Sequence, residues 1–271
     1  MKVVLFCGGF GLRMQEASPS VPKPMVPVGN QPILVHIMKY YAHYGHDDFI
    51  LCLGQRGEVI KDYFLTYNEA LSNDFILSEG GKQVELLSSD IHTWRITFIN
   101  TGLQSMIGER LKRVRDHLTD EQFFLATYGD ALTDAPLPIL LSDFLERDKV
   151  AGFLCVRPAS YSFHTVTITD DNLVRGIEDV TTSDLWINGG FFVFRNDIFD
   201  YIRDGEDLIT EPFARLIESE QVVAYRYEGF WAPMDTLKDK HNLEALAERG
   251  KPPWEVWELD ADERTKRGVF F

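Results

Sequence analysis

Residues 3–14 read VVLFCGGFGLRM: a four-residue apolar run, Val3 to Phe6, that empties into three glycines, Gly8, Gly9 and Gly11, and then Arg13. The apolar run predicts a buried strand. Glycine weakens an element interior through its backbone entropy, so three in four positions mark a tight turn or a place where something approaches the main chain. Exposed N–H groups at a strand's end favour an anion, and an arginine adds forked donors suited to phosphate. The plainer reading is a glycine-rich turn with a solvated arginine. These residues alone leave both open.

Strand-like runs recur at Phe49–Leu53, Ile96–Ile99, Phe123–Thr127, Ala151–Val156 and Phe191–Phe194. Helix-like segments fall between several of them: Ile33–Tyr44, where Ile33, Leu34, Ile37, Met38 and Tyr41 share one face, Arg56–Leu65 and Glu109–His117. The alternation predicts an α/β fold, a Rossmann-like, mainly parallel mixed sheet flanked by helices. In such sheets ligands bind beyond the carboxyl ends of the strands, where the glycine loop would sit. After about residue 150 the texture changes. His164–Thr169, a polar turn at Asp170 to Asn172, and Leu173–Ile177 read as a hairpin.

The 271 residues, 45% hydrophobic, suffice for a large core. One domain is expected over 1–249, with a nucleotide-binding part at about 1–135 and an acceptor-binding part at about 136–249. The tail 250–271, which carries KPPWEVWE directly after Gly250, reads as an arm that packs on the body or joins a homo-oligomer contact, because Trp254 and Trp257 are too apolar to leave in solvent. A formal charge of −15 argues against an extended nucleic-acid footprint. No stretch approaches the roughly 18 apolar residues of a membrane span, and no leader is evident, so the expected location is the cytoplasm. Cys7, Cys52 and Cys155 lack zinc or redox spacing and read as reduced thiols.

Three further residues carry possible chemistry. Lys23, in VPKPMVPVG, is flanked by Pro22 and Pro24, which stiffen the track holding its ammonium. Asp130, in TYGDAL, ends a predicted strand and is either a metal ligand or a turn residue. Asp235, in GFWAPMDTLKD, precedes the helix-like Leu237–Leu246 and is either its N-cap or a second carboxylate on the metal. No spacing rule joins the two aspartates. Neither a nucleophile elbow nor histidine metal spacing is present.

Together these pieces resemble the sugar nucleotidyltransferases, and within them the glucose-1-phosphate cytidylyltransferases. GGFGLRM, KPMVPVGNQPILVHIMKYY, FILCLGQRGEVIKDYF, INTGLQSMIGERLKRV, FLATYGDAL, WINGGFFVF, GFWAPMDTLKDKHNLEAL and KPPWEVWE follow in the family's order over nearly the whole chain. The resemblance implies the nucleotide-diphospho-sugar transferase fold and attack of a sugar phosphate oxygen on the α-phosphorus of CTP, with pyrophosphate leaving. It implies that Arg13 and Lys23 stabilise the triphosphate and the growing charge, and that Asp130 and Asp235 hold Mg2+. It further assigns the nucleotide to Gly8, Gly9, Gly11, Thr101, Gly102, Ser105 and Arg110, and the sugar to Asn188, Gly189 and the region of Glu178.

Departures from the family pattern cluster at both ends of the expected site. Leu12 stands where threonine is usual, and Ile107 and Glu109 replace threonine and glycine. Asp179 replaces the lysine that binds the sugar phosphate, and SYSFHTVTI at 160–168 replaces an arginine-phenylalanine-glycine loop. These point to an altered acceptor pocket. Two other readings stay open at this stage: the same fold using UTP, dTTP or a different phosphorylated acceptor, and a non-catalytic nucleotide-binding module.

Overall fold

The structure is a computed structural model, and it describes residues 1–9, 21–158, 164–181 and 183–258. Gly11, Leu12 and Arg13 therefore lie outside the described residues, as do 160–163 of the acceptor-side loop.

The chain opens with β1 (Val3–Phe6), a short hairpin of β2 (Pro27–Val28) and β3 (Gln31–Pro32), then α1 (Ile33–His43), β4 (Asp48–Leu53) and α2 (Gly57–Leu65). A second hairpin, β5 (Phe75–Ser78) with β6 (Gln83–Leu86), precedes β7 (Arg95–Asn100), α3 (Ile107–Arg113), β8 (Phe123–Tyr128), β9 (Ala131–Thr133) and α4 (Leu137–Arg147). Then come β10 (Ala151–Val156), the hairpin of β11 (His164–Ile168) and β12 (Val174–Asp179), β13 (Ile187–Asn188), β14 (Phe192–Arg195), α5 (Glu211–Glu218), β15 (Val222–Tyr227), β16 (Trp231–Pro233) and α6 (Leu237–Glu248).

In the central sheet β7, β4, β1 and β8 lie side by side and parallel, with Leu5 between Leu51 and Thr127. β14 joins β8 antiparallel, β10 pairs β14 antiparallel, and β15 runs parallel to β10. This is the mixed, mainly parallel sheet that the alternation predicts. Both faces are buried at β1, β4 and β8, which is why these strands read as continuous apolar runs. Val3, Leu5, Leu51 and Leu125 face α1 and α4; Val4, Phe6, Ile50 and Phe124 face α3 and α5. Parallel register places the carboxyl ends of β1 and β8 together, and β10 turns its own carboxyl end to the same edge. At that edge the apolar strands give way to polar side chains.

The segment after Gly250 adds to the first core: Trp254 and Val256 are buried in it, and the Trp254 indole packs on Phe230 and His36. Among the described residues no helix is long and apolar enough to cross a membrane.

Candidate active site

The loop leaving β1 is pinned at its start. Cys7 N–H donates to Cys52 O at 3.0 Å, and Gly129 N–H donates to Phe6 O at 3.3 Å. Beside it, Pro22 and Pro24 frame a 3-10 turn, Lys23–Met25, closed by Val26 N–H on Lys23 O at 3.1 Å. The two prolines fix the backbone there, so the ammonium's position is set by its side-chain torsions. Phe6, Cys7, Gly8, Gly9, Lys23, Pro24, Ile107, Tyr128, Gly129 and Asp130 line one cleft of about 130 Å³. The glycine loop, the lysine and the first aspartate thus share a wall.

Lys23 Nζ lies 2.7 Å from Asp130 Oδ2 and 2.5 Å from Asp235 Oδ1. The aspartates are brought together by pairing that sequence spacing does not reveal. β9 and β16 run antiparallel with Ala131 opposite Pro233, and Met234 N–H donates to Asp130 O at 2.8 Å. Thr236, not Asp235, caps α6: its hydroxyl accepts from Asp239 N–H at 3.2 Å in a capping box, which leaves the Asp235 carboxylate for Lys23. Burial works to depress the Lys23 pKa, but the Asp130 charge and the hydrogen bonds the ammonium donates to both carboxylates outweigh it and hold the ammonium above its ordinary value.

Gly8 and Arg110 fit together in a way the sequence does not show. Arg110 is 1% exposed, and its Nη1 donates to Thr101 Oγ1 at 2.7 Å and Leu53 O at 3.2 Å. A β-carbon on Gly8 would fall 2.1 Å from that Nη1, and one on Gly54 would fall 2.7 Å from the Gly8 Cα. Gly8 is therefore bare first of all to admit a guanidinium from behind the loop, whereas a β-carbon on Gly9 would meet no atom of the described residues within 4 Å. Thr101 also donates to Leu53 O at 2.9 Å, Ser105 Oγ donates to Thr101 O at 2.5 Å, and Gly102 turns at φ +93°. These four residues form one buttress under the loop. Burial lowers the Arg110 pKa, and no carboxylate hydrogen-bonds to it among the described residues.

At the acceptor side, Asn188 Oδ1 accepts from Gly190 N–H at 2.9 Å, and its side chain hydrogen-bonds Tyr128, whose phenol burial pushes up to about 12. Gly189 O accepts from the Trp231 indole at 2.8 Å, tying β13 to β16 and so to Asp235. Phe191 holds a left-handed φ of +49° while its N–H donates to Thr127 Oγ1 at 3.2 Å. A buried aromatic in that region is strained, and Tyr40 and Tyr41 pack against it to keep it there. Glu178 sits on the exposed β11–β12 hairpin opposite Thr165, and among the described residues no hydrogen bond or ion pair ties it to Asn188 or Lys23.

Two of the departing carboxylates have local partners. The Glu109 carboxylate pairs with Arg113 at 2.6 Å, one turn along α3, so its charge is compensated locally. The Asp179 carboxylate accepts from Thr181 N–H at 2.9 Å and Thr181 Oγ1 at 2.8 Å, bonds that hold it below the usual carboxylate range. Gly54, Tyr128 and Trp231 belong to the site's frame and were not read from sequence. Gly54 carried a signal, since it follows a predicted strand as Gly8 does.

Among the described residues no three His, Cys, Asp or Glu side chains form a metal cluster. Two carboxylates do converge on one cation position, held here by the Lys23 ammonium. That donor set suits a Mg2+ ion, which keeps several waters and takes one or two carboxylates plus substrate phosphates.

The cleft lies at the carboxyl edge of the parallel strands, with a lysine on a proline-framed turn bridging two aspartates beside Gly8 and Gly9. The nucleotidyl transferase family model matches residues 2–248, and the chain belongs to that family. It is 38% identical over 259 residues to the probable glucose-1-phosphate cytidylyltransferase of Bacillus subtilis strain 168, covering 95% of this chain and 100% of that protein. Identity to the glucose-1-phosphate cytidylyltransferase of Salmonella typhimurium is also 38%, over 260 residues, with the same coverage. The fold is shared with the UTP-bound UGPase from Acinetobacter baumannii, at TM-score 0.67 and 18% identity over 96% of this chain and 99% of that one. A putative glucose-1-phosphate thymidylyltransferase from Bacillus anthracis shares it at TM-score 0.65 and 18% identity, over 93% and 98%.

Proposed function

We propose that the protein transfers the cytidylyl group of CTP to a sugar 1-phosphate, with glucose 1-phosphate as the default acceptor, giving a CDP-sugar and pyrophosphate. The observation that carries this reading is the convergence of Lys23, Asp130 and Asp235 beside the glycine loop. CTP and glucose 1-phosphate are suggested by the relatives that match over their whole length.

In this reading residues 1–135 form the nucleotide side and 136–249 the acceptor side. The exposed main chain at Gly9 receives the triphosphate, and Arg110, Thr101, Gly102 and Ser105 hold the loop's shape from behind. Arg13 and Lys23 would neutralise the charge that grows on the triphosphate. A phosphate oxygen of the acceptor forms a new bond to the α-phosphorus while the bond to the β-phosphate oxygen breaks, and pyrophosphate carries away the electron pair. Such transfer needs alignment and charge compensation rather than a protein nucleophile. Asp130 and Asp235 would hold Mg2+, which when bound supplies positive charge on the phosphates. Asn188 and the Gly189 main chain would face the sugar, oriented by Tyr128 and Trp231.

The test is pyrophosphate release with Mg2+ and each nucleoside triphosphate, with and without glucose 1-phosphate. Release requiring CTP and glucose 1-phosphate together is expected, and Asp130→Asn should lower kcat/KM by about 10²–10³. CTP binding without acceptor-dependent release would instead exclude glucose 1-phosphate and shift the acceptor to another phosphorylated sugar, an outcome that Asp179 in place of a lysine favours.

A further inference from the structure

We propose that Lys23 is an internal counter-cation: it bridges Asp130 and Asp235 when no nucleotide is bound, and a divalent metal displaces it, freeing its ammonium for the phosphates. The inference rests on the metal role given above to the two aspartates. One nitrogen lies within hydrogen-bond reach of two carboxylates contributed by segments more than a hundred residues apart in sequence. A metal held by the same oxygens would stand next to a second full positive charge, so the two cations exclude one another.

The geometry lets the exchange occur without backbone movement. Lys23 sits on a proline-framed turn, and the ammonium can leave by rotation about its own side-chain bonds. The carboxylates remain reachable from solvent, since the Asp130 and Asp235 side chains are 30% and 46% exposed against 14% for Lys23. Metal alone must therefore compete with a bonded ammonium. A triphosphate offers that ammonium a new partner, so nucleotide and metal each favour the other's binding. The lysine is thus a positioning residue for the metal and a phosphate ligand in turn.

The experiment measures Mn2+ binding to the nucleotide-free protein by electron paramagnetic resonance, in wild type and in Lys23→Met, Lys23→Arg and Lys240→Met. Replacing two charge-assisted hydrogen bonds with a thioether should tighten Mn2+ binding by at least about tenfold in Lys23→Met. Lys23→Arg keeps a cation at the same position and should bind Mn2+ as weakly as wild type. Lys240, paired with Glu244 on α6, controls for simple removal of a positive charge from the same region. Circular dichroism confirms that each variant is folded. Equal affinity in wild type and Lys23→Met, or an equal gain in Lys240→Met, overturns the exchange while leaving the aspartates as ligands. Absence of Mn2+ binding in every nucleotide-free protein overturns the exchange, while the metal role of the aspartates stands or falls with the Asp130→Asn assay above.

Discussion

A β-carbon added to Gly54 would meet the main chain of Gly8 at 2.7 Å, one added to Gly8 would meet the Arg110 guanidinium at 2.1 Å, and one added to Gly9 would meet nothing among the described residues. This gradation orders three substitutions. Gly54→Ala must push apart two backbone segments, and we expect it to cost the most, about 2–3 kcal/mol. Gly8→Ala must displace a buried guanidinium from Thr101 and Leu53, a cost of about 1–3 kcal/mol in the range for lost charged hydrogen bonds. Gly9→Ala should leave stability within about 0.5 kcal/mol of wild type and act, if at all, on nucleotide affinity. Urea midpoints for the three variants check the order, and a Gly9→Ala protein as unstable as Gly54→Ala would show that the loop is packed rather than open. At this scale the sequence was legible in kind but not in role. It marked Gly8 as a place of close approach, yet the group that approaches is Arg110, from about a hundred residues downstream.

At the scale of elements, the stretch after Gly250 behaves as part of the core. The Trp254 side chain is 1% exposed, its Nε1–H donates to His36 Nδ1 at 3.3 Å, and its ring stands edge-on to His36 at 5.9 Å. Trp254→Ala should therefore cost about 3–5 kcal/mol, while Trp254→Phe, which keeps most of the apolar contact but orphans the histidine nitrogen, should cost about 1–3 kcal/mol. Thermal unfolding of both variants measures the difference; equal losses would mean that the hydrogen bond contributes nothing. The central strands β1, β4 and β8 were readable because burial on both faces makes them apolar throughout, whereas β13, two residues long, and β15, half-exposed along its length, were not read. The helix expected at Glu109–His117 begins at Ile107 and gives way to a 3-10 turn at Arg115–His117, which periodicity does not separate. α4 carries Pro138 in its first turn, which reads as a turn residue, and α5 has only eight residues, too few for a long period. β9 and β16 are three residues each, too short to announce a pairing, and it is this pairing that brings Asp130 to Asp235. The candidate site was thus legible as residues and hidden as a constellation.

Across the whole molecule, two histidines couple stability to pH. His36 Nε2–H donates to Val28 O at 3.0 Å and Nδ1 accepts from Trp254, so both nitrogens are committed to the neutral ring. Burial pushes its pKa from 6.5 down to about 4, and burial with the N-terminal ammonium takes His46 to about 4 as well. Below pH 6.5 the unfolded chain takes up protons that the folded protein refuses, so stability is full above about pH 6.5 and falls as pH drops toward 4. For His36 the shift corresponds to at most about 3.5 kcal/mol, since each pKa unit is worth about 1.4 kcal/mol. Protonation would also set an N–H of His36 against the Trp254 N–H, loosening the C-terminal segment from α1. Urea unfolding followed at intervals from pH 4 to 7 should therefore show a falling midpoint on the acid side. Substituting His36→Gln removes one of the two proton-binding groups, and the variant's profile should be flatter over that window than the wild type's, with His46 supplying what slope remains. An unchanged slope in His36→Gln would locate the acid sensitivity elsewhere, in the carboxylates that give the chain its charge of −15.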